Sequence, residues 1–192
     1  MPARPKHKDA IVDAAVRLFR RQGYSATGLA EIVEMSGAPK GSLYHYFPAG
    51  KAAIAEAAVR RAAASVTETL TQLDDEAATA GALVRGWASA LAGWMAGSEF
   101  RSGSPVTTVL LELAPLDPAI TRAGEEAFAA WRDLVAARLV AEGVGEDRAR
   151  RLARLAFAAT DGALIQARVE RSTAPLEIVG EELEAILDAA RR

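Results

Sequence analysis

The chain has 192 residues, 51% of them hydrophobic and 25% charged, with a formal net charge of −2 and no cysteine. That composition excludes an intrinsically disordered segment and a disulfide-stapled scaffold, and it removes thiolate chemistry. No apolar run approaches the roughly 18–20 residues that a bilayer span needs, and the basic start "MPARPKHKDA" is followed by no apolar core of a signal peptide, so a cytoplasmic protein is expected.

The small net charge hides a division along the chain. Residues 1–61 hold ten Lys/Arg against five Asp/Glu, a net of +5, while the remaining residues hold 13 against 20, a net of −7. Charge separated in this way points to one part that faces a polyanion and one that does something else.

Helical spacing runs through nearly the whole sequence, and sustained strand alternation is absent. In "AIVDAAVRLFRRQG", Ile11, Ala15, Leu18 and Phe19 share one face and Gly23 supplies a stop. A short helix follows in "GLAEIVEMS", with Leu29, Ile32 and Val33 on one side and Thr27 or Gly28 at its cap. Ser36-Gly37-Ala38 breaks it, and Pro39 opens a third helix that ends before Pro48. Further helices are expected at about 48–73, 75–96, 106–113, 117–142, 146–171 and 175–190. The fold class predicted is all-α, about nine helices, with a DNA-binding domain over residues 1–50 and a larger unit over residues 51–192.

The helix over residues 39–47 has an unusual outer side. Leu43 and Phe47 face inward, which leaves Lys40, Gly41, Ser42, Tyr44 and His45 facing out. Flat rings, a cation and a helix-weakening glycine make a poor solvent face but a good surface for close approach to another body. A two-turn helix joined to its predecessor by a tight glycine turn is a helix-turn-helix, whose second helix lies in the major groove of DNA. Lys40 reaches a phosphate or a guanine edge, and the rings reach phosphates and thymine methyls. Lys51 falls in the first turn of the next helix, where the macrodipole disfavours a cation but a bound phosphate would satisfy it; the alternative is that it points to water. Tyr46 is expected to pack in the small core.

The run "TGLAEIVEMSGAPKGSLYHYFPAGK", Thr27 to Lys51, resembles the signature of the TetR family of bacterial transcriptional regulators. With the later "GSPV" and "DGALIQAR" it resembles the LmrA/YxaF-like branch. The sequence departs from the family at Pro39, often Ser, at Gly50, and at Ser104, where the branch more often carries cysteine. The resemblance implies a homodimeric, ligand-responsive regulator, by usual mode a repressor, whose partners are a pseudo-palindromic operator in double-stranded DNA and a small hydrophobic effector. Carried over, Thr27, Lys40, Gly41, Ser42, Tyr44, His45 and Lys51 fall on positions that contact DNA. The alternative is a helical interaction or constitutive DNA-binding module without a ligand switch.

For an effector pocket the candidates are Trp94, Met95, Phe100, Phe128 and Trp131, with Val106 and Leu110 on the adjoining helix; each could equally fill core. Thr160, Asp161 and Gln166 are polar residues in an apolar helix, expected to be satisfied by a neighbouring helix or to orient a ligand. The small-residue stripe Leu152, Ala156, Ala159 and Ala163, with Val179, Leu183, Ile186 and Leu187 on the last helix, is the candidate dimer interface, the alternative being packing within the chain. An enzyme is not expected. The two histidines, His7 and His45, lie in the basic part, no HExxH or phosphate-loop motif occurs, and the carboxylate pairs Glu125-Glu126 and Glu181-Glu182 are adjacent and so diverge. No cofactor or metal is expected.

Overall fold

The computed structural model describes residues 6–191, so Arg4 of the basic tally lies outside the described residues. Those residues form nine helices and no strand: α1 Lys6–Gln22, α2 Leu29–Ser36, α3 Lys40–Tyr46, α4 Lys51–Glu76, α5 Ala80–Gly97, α6 Pro105–Leu113, α7 Pro118–Ala141, α8 Glu146–Glu170 and α9 Ala174–Ala189. Among the described residues no helix is long and apolar enough to cross a membrane.

Several boundaries around α3, α4 and α5 differ from the sequence expectation. Helix α3 begins at Lys40, with Pro39 as its cap at ψ 137° rather than as its first residue. Helix α4 starts at Lys51, after a turn over residues 48–50 in which Gly50 adopts φ +76°, and continues through Asp74 and Asp75 to Glu76. The break falls at Ala77–Thr79, where Thr79 caps α5 by accepting the Ala82 N–H.

The chain divides into two compact units, residues up to Ser65 with Ser104–Ala127, and Val66–Gly103 with residues from Phe128 onward. Packing therefore does not follow chain order: α6 and the start of α7 group with α1–α3, α6 lying against α1. The core of the first unit holds Ile11, Leu18, Phe19, Ile32, Leu43, Phe47 and Ile54. Arg61 ties its helices together, reaching Asp9 at 2.6 Å and Asp13 at 2.8 Å.

In the second unit α9 packs most extensively on α5 and then on α8. Glycine makes that approach possible. A Cβ on Gly180 would lie 2.9 Å from Ala88 Cβ, and one on Gly81 would lie 2.9 Å from the Glu184 carbonyl. The ends of α4, α5, α7 and α9 are fastened by one cluster. Glu142 accepts the Ala80 N–H at 2.7 Å and pairs with Arg138 at 3.0 Å and Arg191 at 3.3 Å, while Arg138 also donates to the Ala77 carbonyl at 2.8 Å.

Candidate nucleic-acid interface

Helices α2 and α3 are joined by a turn that the local sequence dictates. Gly37 closes α2 in the left-handed region at φ +63°, where a side chain would be strained. Its N–H donates to the Glu34 carbonyl at 3.2 Å. Ser36 Oγ donates to the Val33 carbonyl at 2.9 Å and accepts the Ala38 N–H at 3.2 Å, so the turn satisfies its own polar groups. Pro39 then sets the entry into α3.

Leu43 and Phe47 hold α3 from behind, both buried. Full burial of one such side chain stabilises by about 1.5–3 kcal/mol. On the other side Lys40, Gly41, Tyr44 and His45 are exposed and Ser42 is half-buried. Tyr44 retains 54% of its surface, an unusual amount for an aromatic ring. His45 leans edge-on against Tyr46 at 4.9 Å between centroids. No Cβ contact would arise within 4 Å of Gly41, so its backbone is open to approach.

Lys51 does not simply point to water. Its Nζ lies 4.1 Å from the centroid of the Tyr24 ring and 3.5 Å from the Ser25 carbonyl. Burial pulls its ammonium below the ordinary value, and the Glu112 carboxylate partly offsets that. Thr27 is placed differently from the others. It is buried, its hydroxyl donates to the Gly23 carbonyl at 2.7 Å and its N–H to the Tyr24 carbonyl at 3.0 Å, so it braces the α1–α2 turn.

Three residues of this region carry no motif signal: Tyr24, Ser25 and Glu112. Glu112 accepts the backbone N–H groups of Tyr24 and Ser25, each at 2.7 Å. Burial works against its charged form, but the Ser25 hydroxyl, the two N–H groups and Lys51 together hold its carboxyl below the usual value. Tyr24 is pushed up by burial and by Asp117 and Glu112. A lone glutamate 88 residues from its partner offers periodicity nothing to detect.

The effector candidates do not form one group in the described contacts. Val106 is buried and Leu110 half-buried in the first unit, where the Leu110 side chain occupies the space a Cβ on Gly124 would take. In the second unit Trp131 is buried, meets Phe128 edge-on at 5.5 Å and Phe157 at 6.0 Å, and donates from Nε1 to Thr67 Oγ1 at 3.2 Å. Trp94 packs edge-on to Trp87 at 5.5 Å and keeps 39% exposure. Met95 is buried, and Phe100 and its neighbour Glu99 sit in the left-handed region at φ +59° and +52°. An open groove of about 430 Å³ in the same unit is lined by other residues, among them Asp133, Val140, Glu146 and Arg150.

The stripe expected to pair across a dimer lies largely inside the chain. Leu152, Ala156, Ala163, Leu183 and Leu187 are buried without any partner, Ala159 and Val179 are half-buried, and Ile186 is exposed. The physical reason is that small side chains permit close packing on whatever helix is adjacent, and α5 and α9 are already there. The apolar side chains left outside are Leu155, Ile165 and Val169 on α8 and Ile178 and Ile186 on α9. Thr160 is satisfied by its own helix, through the Ala156 and Phe157 carbonyls, rather than by a neighbour. Gln166 is exposed, and burial raises the Asp161 carboxyl to about 6.

A helix-turn-helix whose second helix is anchored by leucine and offers a cation and rings outward defines a DNA-binding regulator. Sequence comparison makes the assignment specific. Residues 11–58 match the model of bacterial regulatory proteins of the tetR family, and residues 80–182 match that of the LmrA/YxaF-like transcriptional regulator C-terminal domain. The chain belongs to the TetR family of transcriptional regulators, in its LmrA/YxaF-like branch. It is 33% identical over 186 residues to an uncharacterised HTH-type transcriptional regulator of Mycobacterium tuberculosis, covering 94% of this chain and 93% of the relative. It is 30% identical over 187 residues to YxaF, an uncharacterised HTH-type regulator of Bacillus subtilis, covering 97% and 98%. A TetR transcriptional regulator of Legionella pneumophila has the same fold, with TM-score 0.83 at 18% identity over 97% of this chain and 99% of that one. The family is one of DNA-binding regulators rather than enzymes.

Proposed function

We propose that this regulator is a ligand-responsive repressor that binds a pseudo-palindromic operator as a homodimer and leaves it when a small hydrophobic effector binds. The observation that carries the proposal is the outward face of α3. Gly41 and His45 are exposed opposite the buried Leu43 and Phe47, and exposed Lys40 and Tyr44 flank that buried pair. In this reading α3 enters the major groove. Lys40 and Lys51 neutralise phosphates, Ser42, Tyr44 and His45 meet backbone or base edges, and Gly41 allows close approach. Thr27 acts by holding the α1–α2 turn. Residues 1–50 form the reading head and residues 51–192 serve effector binding and dimerisation, in the cytoplasm.

A second copy is needed because one short helix touches few bases; paired heads about 34–36 Å apart read two half-sites. The exposed apolar side chains of α8 and α9, with Ala159, Val179 and Ile186, are the surface for that second copy. Trp94, Met95, Phe100, Val106, Leu110, Phe128 and Trp131 are the proposed effector contacts, of which Trp94 alone is exposed. The effector acts only to the extent that it binds the released conformer better.

Selection of bound duplexes from a random pool tests the proposal, with expected recovery of an inverted repeat whose half-sites are one turn apart. Recovery of unrelated sequences would argue against operator reading. Titrating a bound hydrophobic compound into the complex should lower affinity; unchanged affinity for every compound that binds would remove the switch.

A further inference from the structure

We propose that Glu112 is a positioning residue for DNA binding: through the Tyr24–Ser25 turn it holds Lys51 where a phosphate meets it. The inference rests on the reading of Lys51 as a phosphate contact. It starts from two charges that each stand at the wrong end of a helix. Glu112 lies in the last turn of α6, where carbonyl ends repel a carboxylate, and Lys51 is the first residue of α4, where N–H ends repel a cation. Both are set towards the same turn.

The geometry shows what offsets the two misplacements. The Glu112 oxygens accept the Tyr24 and Ser25 N–H groups one each, both at 2.7 Å, a pair of charge-assisted bonds. Gly23 makes room, because a Cβ there would lie 2.6 Å from Oε1, and its φ of +87° disfavours any side chain. The two residues so fixed are the two that hold Lys51, Tyr24 by the face of its ring and Ser25 by its carbonyl. Glu112 also favours the charged form of Lys51. Helix α6 thus governs an amine at the start of α4 through the Tyr24–Ser25 turn.

Glu112→Gln keeps the shape, but its amide nitrogen cannot accept from the second N–H. On a duplex selected with the wild-type protein, Glu112→Gln should weaken binding about tenfold, the loss of one charge-assisted bond's worth of organisation. A merely structural role would add to the effect of Lys51→Ala. Action through Lys51 requires that Glu112→Gln cost less than about twofold when Lys51→Ala is already present. Unchanged affinity in Glu112→Gln, or losses that simply add, overturns the proposal. If Lys51→Ala alone leaves affinity unchanged, the phosphate reading of Lys51 fails and this inference with it; if the wild type selects no duplex, operator reading fails first. Should Glu112→Gln not fold, the wild-type Lys51 side-chain resonances, followed by NMR as Glu112 is protonated, should shift with that event. Resonances indifferent to it would overturn the proposal equally.

Discussion

The α3 face and the α8–α9 pair each combine buried and exposed side chains on short sequence intervals, and they fail to be equally legible for one reason. On α3 the outward residues are polar and aromatic, so an exposed Tyr44 between buried Leu43 and Phe47 declares that something other than core contacts it. On α8 apolar side chains occur on both sides, the outer ones, Leu155, Ile165 and Val169, standing among exposed arginines. Leu152 and Leu155 differ by three residues, yet the first is buried and the second 47% exposed, and composition alone does not separate them. A surface that contrasts chemically with the core can be read from sequence, whereas one made of core-like residues cannot.

The largest effects should come from breaking the buried halves. Leu43→Ala should cost about 2–5 kcal/mol in chemical unfolding by removing a fully enclosed anchor, and Leu152→Ala a similar amount. Equal loss at these two positions, with near-zero loss in Tyr44→Ala, would sharpen the contrast between inner and outer sides. Val169→Asp, at a residue 78% exposed, should leave monomer stability within about 0.5 kcal/mol and shift the mass seen by light scattering from dimer to monomer. An unchanged dimer would move the self-interface elsewhere.

Next in size is the half-buried acid of α8. Burial raises the folded Asp161 carboxyl from 3.8 to about 6, so the charged form opposes folding. The sign follows: the penalty is full above pH 6, declines as pH falls through the folded value, and is gone below the unfolded one. Asp161→Asn should therefore raise stability at pH 7.5 by about 1–3 kcal/mol and by much less at pH 4, as measured by paired denaturant titrations. The same gain at both pH values would contradict the burial account.

Smallest is Gly41→Ala. Alanine should stabilise α3 by up to about 1 kcal/mol, since nothing lies within 4 Å of the added Cβ. It should still weaken operator binding if the backbone sits close to DNA. Tighter binding would show that closeness at Gly41 is not used.

Helix existence was legible throughout because apolar spacing at 3.6 residues survives an alanine-rich sequence. The α4–α5 break is expected near residue 74 and falls at Ala77–Thr79, because "DDEAATA" contains neither glycine nor proline and only Thr79 marks the true position. The grouping of α6 with α1 was invisible because it depends on a contact between residues 88 apart, and Glu112 was missed with it. Thr27 matched a family position, but burial makes it a brace, which no motif distinguishes from a contact.

The most direct test of the α3 reading compares Tyr44→Ala with the wild type for discrimination between the selected duplex and a scrambled one, by fluorescence anisotropy at a single salt concentration. The account predicts that the ratio of affinities falls towards one while the melting temperature stays put. A variant that discriminates as well as the wild type would contradict it.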